Sequence, residues 1–182
     1  MNELLEAYDS GGAAMATVVQ TWRSAPRPAG ASMLVTASGE AVGSVSGGCV
    51  EGALFEVGTE VLSDGQPRFE HYGVSDNDAF AVGLTCGGIL EVFVEQVNQD
   101  TWPELPDIAA RIERGDPVGV ATIIKGPHFV GRHLVITPES STGSLGTDRL
   151  DDTVREDALG MLAAGLTGTI EYGPAGERLG EG

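Results

Sequence analysis

The sequence predicts an α/β fold: a mixed β-sheet with flanking helices, built from two diverged α-β-β-β-α-β repeats. Sliding the chain against itself by 100 positions aligns 43–73 with 143–173 without a gap. The identities are Gly43, Ser44, Glu56, Leu62, Gly65, Tyr72 and Gly73, which mark the start, the turn and the end of the segment. Apolar positions are kept as well, Val50 over Leu150, Leu54 over Val154 and Val61 over Met161. Few identities with matched punctuation are the mark of a diverged internal repeat.

The elements follow in order. Apolar spacing predicts a short helix over 2–9 and another over 104–114, stopped by Gly11–Gly12 and by Gly115. Strands follow at 15–21 and 118–125, containing ATVV and ATII at an offset of 105. Two strands then form a hairpin around Ser38–Gly39, the second of them spanning 41–45. A helix is expected over 47–63, and its counterpart over 148–163. Val50, Leu54, Val57 and Val61 lie on one face of the first, at i, i+4, i+7 and i+11. Strands ending in Tyr-Gly (67–72 and 167–172) close each repeat. GILEVFVE (88–95), alternating and β-branched, adds a strand to the first repeat alone. The expected organisation is one domain over 1–182, with pseudo-repeats 1–100 and 101–182. The second lacks the final strand, as half of a longer or truncated polypeptide would. An unpaired edge of this kind invites dimerisation.

Composition narrows the function. The 182 residues are 41% hydrophobic and 20% charged, ordinary for a soluble domain long enough to bury a core. No apolar run reaches membrane-span length, and the acidic, amphipathic start is unlike a secretory signal, so a cytoplasmic protein with reduced thiols is expected. A net charge of −17 disfavours nucleic acid and anionic membranes as partners. Lys125 is the single lysine beside nine arginines, so an anion site must use arginine or backbone N–H groups.

Residues present in only one copy are the candidates for function. Both cysteines belong to the first repeat and sit in glycine-rich turns, Cys49 in GSVSGGCVEG (43–52) and Cys86 in GLTCGG (83–88). Flanking glycines leave the sulfur uncovered by neighbouring side chains and let a ligand approach the main chain. With Ser46 as N-cap, the Gly47–Gly48–Cys49 turn would lie at a helix N-terminus, where N–H groups bind anions and the dipole favours a thiolate. Arg27, between Pro26 and Pro28, is suited to bidentate anion recognition. Glu51 falls in the first helical turn, where a carboxylate also caps. His71, Asp76 and Asp78 lack motif context and are expected at the surface. The second copy has GSLGTDRLDD in place of the Cys49 turn and HFVGR in place of the longer SAPRPAGASM.

PRPAGASM (26–33), GSVSGGCVEG (43–52), GVSDNDAFAVGLTCGG (73–88) and VFVE (92–95), in this order and spacing, resemble the XdhC/CoxI family. Its members are accessory proteins of xanthine dehydrogenase and related molybdenum hydroxylases. The resemblance implies a chaperone more than a catalyst, one that binds the molybdenum cofactor as cargo (molybdopterin or its nucleotide form). Such a protein guards the cofactor during sulfuration by a cysteine desulfurase and delivers it to the apo-hydroxylase. Together with the turn chemistry it points to a cofactor-binding set of Arg27, Gly30, Ser46, Gly47, Gly48, Cys49, Glu51, Thr85, Cys86, Gly87 and Gly88. The role of the sulfur stays open between metal ligand, persulfide carrier and pocket lining. Arg23–Ser24 stands where the family has Gly-Ser, and Pro28–Ala29 departs from its usual order. Many members continue into a Rossmann-type domain, whereas this sequence has no GxGxxG and carries no dinucleotide expectation.

Two other classes compete. A cysteine-dependent redox or sulfur-transfer enzyme using Cys49 and Cys86 would need a base near the sulfur, for which His71 is the candidate. A pure interaction module would dock a partner through its acidic surface.

Overall fold

The computed structural model describes residues 1–22, 27–73 and 88–179. The chain divides into two compact units, Met1–Thr101 and Trp102–Gly182, each with its own sheet. Unit one runs α1 (Asn2–Asp9), β1 (Ala13–Trp22), β2 (Ser32–Thr36), β3 (Ala41–Gly43), α2 (Glu51–Asp64), β4 (Arg68–Tyr72) and β5 (Ile89–Val97). Its sheet has the order β3-β2-β1-β5-β4, with each pairing antiparallel.

Side-chain alternation places Ala14, Ala16 and Val18 of β1 on one face with Met33, Val35, Leu90, Val92 and Val94. Val50, Leu54 and Val61 pack down onto that face, as the helical spacing predicts. Each large side chain so removed from water contributes about 1.5–3 kcal/mol. Helix α2 lies close to the sheet because Gly58 has no side chain. A Cβ there would meet Val35 at 2.8 Å and Ala14 at 3.5 Å. Leu34 and Phe93, on the other face by the same alternation, are also buried, and α1 lies against β1.

Unit two runs α3 (Leu105–Arg114), β6 (Gly119–Thr122), β7 (His133–Ile136), β8 (Ser141–Gly143) and α4 (Asp148–Ala164), with sheet order β6-β7-β8. The three strands repeat β1-β2-β3, and Leu134, Ile136, Leu145 and Val154 form the core beneath α4. Trp102 is buried at its start, where its indole N–H donates to Nε2 of buried His133 and the rings meet edge to face. The paired glycines Gly43 and Gly143 have one cause. At φ of 91° and 89°, each would put a Cβ 2.5 or 2.6 Å from a carbonyl on the neighbouring strand, that of Ser32 or His133, so the hairpin closes only on glycine.

The repeats therefore stand, with two local differences. Helix α2 begins at Glu51 rather than 47, and Ser46 lies four residues upstream of the N-cap position, Val50. The strand expected over 167–172 does not form. In unit one β4 pairs only with β5, and no counterpart of β5 exists among the described residues of unit two. Tyr172 makes an isolated bridge with Arg178 instead. Both side chains bind Asp157 of α4, at 2.7 and 3.2 Å, which ties the segment down without a ladder.

Candidate functional site

The register of unit one brings the candidate segments to one end of its sheet. β1 leaves toward the Arg27 loop, β3 leaves toward the Cys49 turn, and β5 enters after Gly88 at the end where Trp22 pairs with Ile89. Arg27 and Gly30 are exposed, as are Gly47 and Gly48, whereas Gly88 is buried at the start of β5. Thr85, Cys86 and Gly87 lie outside the described residues, as do Asp76 and Asp78.

The turn before α2 is organised by Glu51. One carboxylate oxygen accepts from the Ser44 hydroxyl (2.7 Å) and the N–H groups of Val45 (3.2 Å) and Ser46 (2.9 Å). The other accepts from the Ser46 hydroxyl (2.5 Å), Gly48 N–H (2.8 Å) and Val50 N–H (3.2 Å). Gly47 N–H donates to Ser44 Oγ, and Cys49 and Val50 N–H donate to Ser46 Oγ. The N–H groups expected to await an external anion are thus held by the protein's own carboxylate and serines. Burial pushes the Glu51 carboxyl up, but the Ser44 and Ser46 hydroxyls and the Ser46 N–H outweigh it and hold the group well below the usual carboxylate range.

Unit two makes a reduced version of the same clamp. Asp151, aligned with Glu51, accepts from Leu145 N–H at 2.6 Å, and Ser144 Oγ accepts from Gly146 N–H. Thr147 caps α4 through Leu150 N–H. A carboxylate that closes this turn in both copies belongs to the scaffold. The signal was in the internal repeat, where Ser44 and Glu51 fall on Ser144 and Asp151. Gly30 is scaffold by the same test. Its N–H donates to Val18 O while Ala31 N–H donates to Pro28 O; Gly131 and Arg132 repeat both bonds with Ile123 and Phe129. This match places Arg27 over His128 and Pro28 over Phe129.

Among the described residues, the candidates that unit two does not share are Arg27, the bare Gly47–Gly48 turn and Cys49. The thiol is half-buried and packs against the core beneath α2, so the sulfur is less uncovered than its glycine neighbours suggested. His71 is not placed to serve it as a base. Tyr72 joins the core under α2, so by alternation His71 faces away from that helix, exposed, with Nδ1 3.6 Å from the Glu91 carboxylate. No three His, Cys, Asp or Glu side chains gather into a metal site among the described residues. A cavity of about 380 Å³ lies in unit two, lined by Glu104, Arg111, Thr137 and neighbours; none of the candidate residues lines it. No described helix is long and apolar enough to cross a membrane.

Known proteins are similar to this chain in sequence and in fold. The model of the XdhC and CoxI family matches residues 9–73 and 111–173, one stretch in each unit. A probable xanthine dehydrogenase subunit of Bacillus subtilis strain 168 is 32% identical over 161 residues, 85% of this chain and 46% of that protein. The molybdenum cofactor insertion chaperone PaoD of Escherichia coli K12 is 36% identical over 117 residues, 64% of this chain and 36% of its own length. A crystal structure described as a xanthine dehydrogenase of Bacillus halodurans superposes with a TM-score of 0.65 at 28% identity, covering 78% of this chain and 44% of that one. The chain spans less than half the length of each of these relatives. With both units matched and more than half of its residues covered, the chain belongs to the XdhC and CoxI family.

Proposed function

We propose that this chain is the cargo-holding part of a cytoplasmic molybdenum-cofactor chaperone. It holds the cofactor at the Arg27–Gly47–Gly48–Cys49 end of unit one during sulfuration by a cysteine desulfurase. It then passes the cofactor to an apo-hydroxylase of the xanthine dehydrogenase type. The observation that carries the proposal is the difference between the copies. Unit two keeps the clamp, the loop closure and the hairpin glycine, but has His128, Thr147, Asp148 and Arg149 where unit one has Arg27, Gly47, Gly48 and Cys49.

The chemistry fits that cargo. An exposed guanidinium suits a phosphate, a glycine turn admits a flat pterin, and a thiol suits a soft metal centre or a sulfur in transfer. The cysteine-enzyme alternative is disfavoured by His71, which faces away from α2. To test the proposal, purified protein is mixed with released molybdenum cofactor and co-elution of the pterin is followed by its fluorescence. Wild type is expected to retain the pterin, and Cys49→Ala and Arg27→Ala to lose most of it. Retention of none by the wild type, or equal retention by both variants, rejects the proposal.

A further inference from the structure

The turns that lead into α2 and α4 start alike, at Ser44 and Ser144, and then part. In unit two, 148–150 are already helical, and Asp151 N–H donates to Thr147 O at 3.0 Å to close the first turn. In unit one the aligned residues 48–50 stay outside the helix, whose first such bond runs from Leu54 N–H to Val50 O at 2.9 Å. Arg149 accordingly lies in a helix and is exposed. Cys49 lies in a bend, half-buried and packed against the core. Both copies have a carboxylate here, but unit one adds a second hydroxyl, that of Ser46, where unit two has Gly146.

Ser46 is 2% exposed, and its hydroxyl is fully engaged. It donates to the Glu51 carboxylate and accepts from the N–H groups of Cys49 and Val50, each at 3.0 Å. A serine hydroxyl has one proton and two lone pairs, so nothing of it is left for a ligand. In unit two the Leu150 N–H instead goes to the Thr147 hydroxyl at 3.3 Å, an ordinary N-cap that lets the helix start at Asp148.

We propose that Ser46 is a positioning residue for Cys49. Its hydroxyl, anchored on Glu51, keeps 48–50 from winding into α2 and so holds the thiol inward against the core. What the positioned thiol serves rests on the chaperone function. Ser46 thereby leaves the set of direct cofactor contacts and acts through the sulfur.

The test compares Ser46→Ala, Ser46→Thr and Ser44→Ala with the wild type. The readouts are the iodoacetamide alkylation rate of Cys49, resolved by peptide mass spectrometry, and retention of released molybdenum cofactor by pterin fluorescence. Ser44→Ala removes the other hydroxyl of the clamp, which bonds Glu51 and Gly47 but not Cys49, and so controls for lost stability. Ser46→Ala is expected to alkylate roughly tenfold faster, the shift in local opening that a lost hydrogen bond allows, and to lose most of its pterin. Ser46→Thr keeps the hydroxyl and should restore both readouts, while Ser44→Ala should alkylate near the wild-type rate. A wild-type rate in Ser46→Ala, the same acceleration in Ser44→Ala, or no recovery in a stably folded Ser46→Thr overturns the assignment. So does Ser46→Ala that retains as much pterin as a binding wild type. A wild type that retains no cofactor loses the chaperone function alone, since the alkylation rates still decide the role of Ser46.

Discussion

Glu51 accepts from the N–H groups that the sequence left open to an anion, and its replacement should be felt in stability before it is felt in binding. Glu51→Gln keeps the volume, removes the charge and turns an amide N–H toward donors. The expected cost is about 2 kcal/mol, in the range of hydrogen bonds to a charged group, measured by urea unfolding at pH 7. The pH dependence has a definite sign. The folded-state pKa is depressed below the ordinary 4.5, so the carboxylate's contribution is fully present above about pH 4.5 and is lost as pH falls toward the folded value. The gap between wild type and Glu51→Gln should therefore narrow steadily below that pH. A constant gap between pH 7 and pH 3 would show that the carboxylate's charge is not what holds the turn.

At the scale of elements, packing of α2 on the sheet depends on Gly58. Gly58→Val would drive methyl groups into Val35, and the expected destabilisation is about 1–3 kcal/mol, read as a lower melting temperature with the helical circular dichroism retained. A variant as stable as wild type would mean that α2 can lift from the sheet. The helices, the hairpin and β5 were legible in the sequence because period and glycine punctuation are local signals, as Val50, Leu54 and Val61 illustrate. The strand expected at 167–172 was misread because a strand needs a partner. Tyr172 carries the same Tyr-Gly signature as Tyr72, but only Tyr72 has a β5 beside it. Local spacing marked Arg27, Gly47, Gly48 and Cys49 as candidates, whereas the clamp was legible only in part. Glu51 reads as an ordinary first-turn acid, and its six hydrogen-bond donors converge only when the turn folds back on itself.

For the whole molecule, two units with sheets of five and three strands should not share one unfolding transition. Unit two is expected to open first. Among the described residues no strand pairs with the outer side of β6, where alternation points the Val120 and Thr122 N–H groups. Their repeat partners Met15 and Thr17 lie between β2 and β5. Native-state hydrogen exchange should show Val120 and Thr122 exchanging well before Met15 and Thr17. Equal protection at these four amides would indicate a single cooperative unit. The Glu51 clamp, which belongs to unit one, has a consequence for the timing of association. Fixing a backbone residue costs about 1–2 kcal/mol of conformational entropy, and glycine loses the most. Because Gly47 and Gly48 already donate into the clamp, that loss falls on folding. A ligand arriving at this turn meets a surface with little left to order, so its capture is governed by encounter rather than by loop closure.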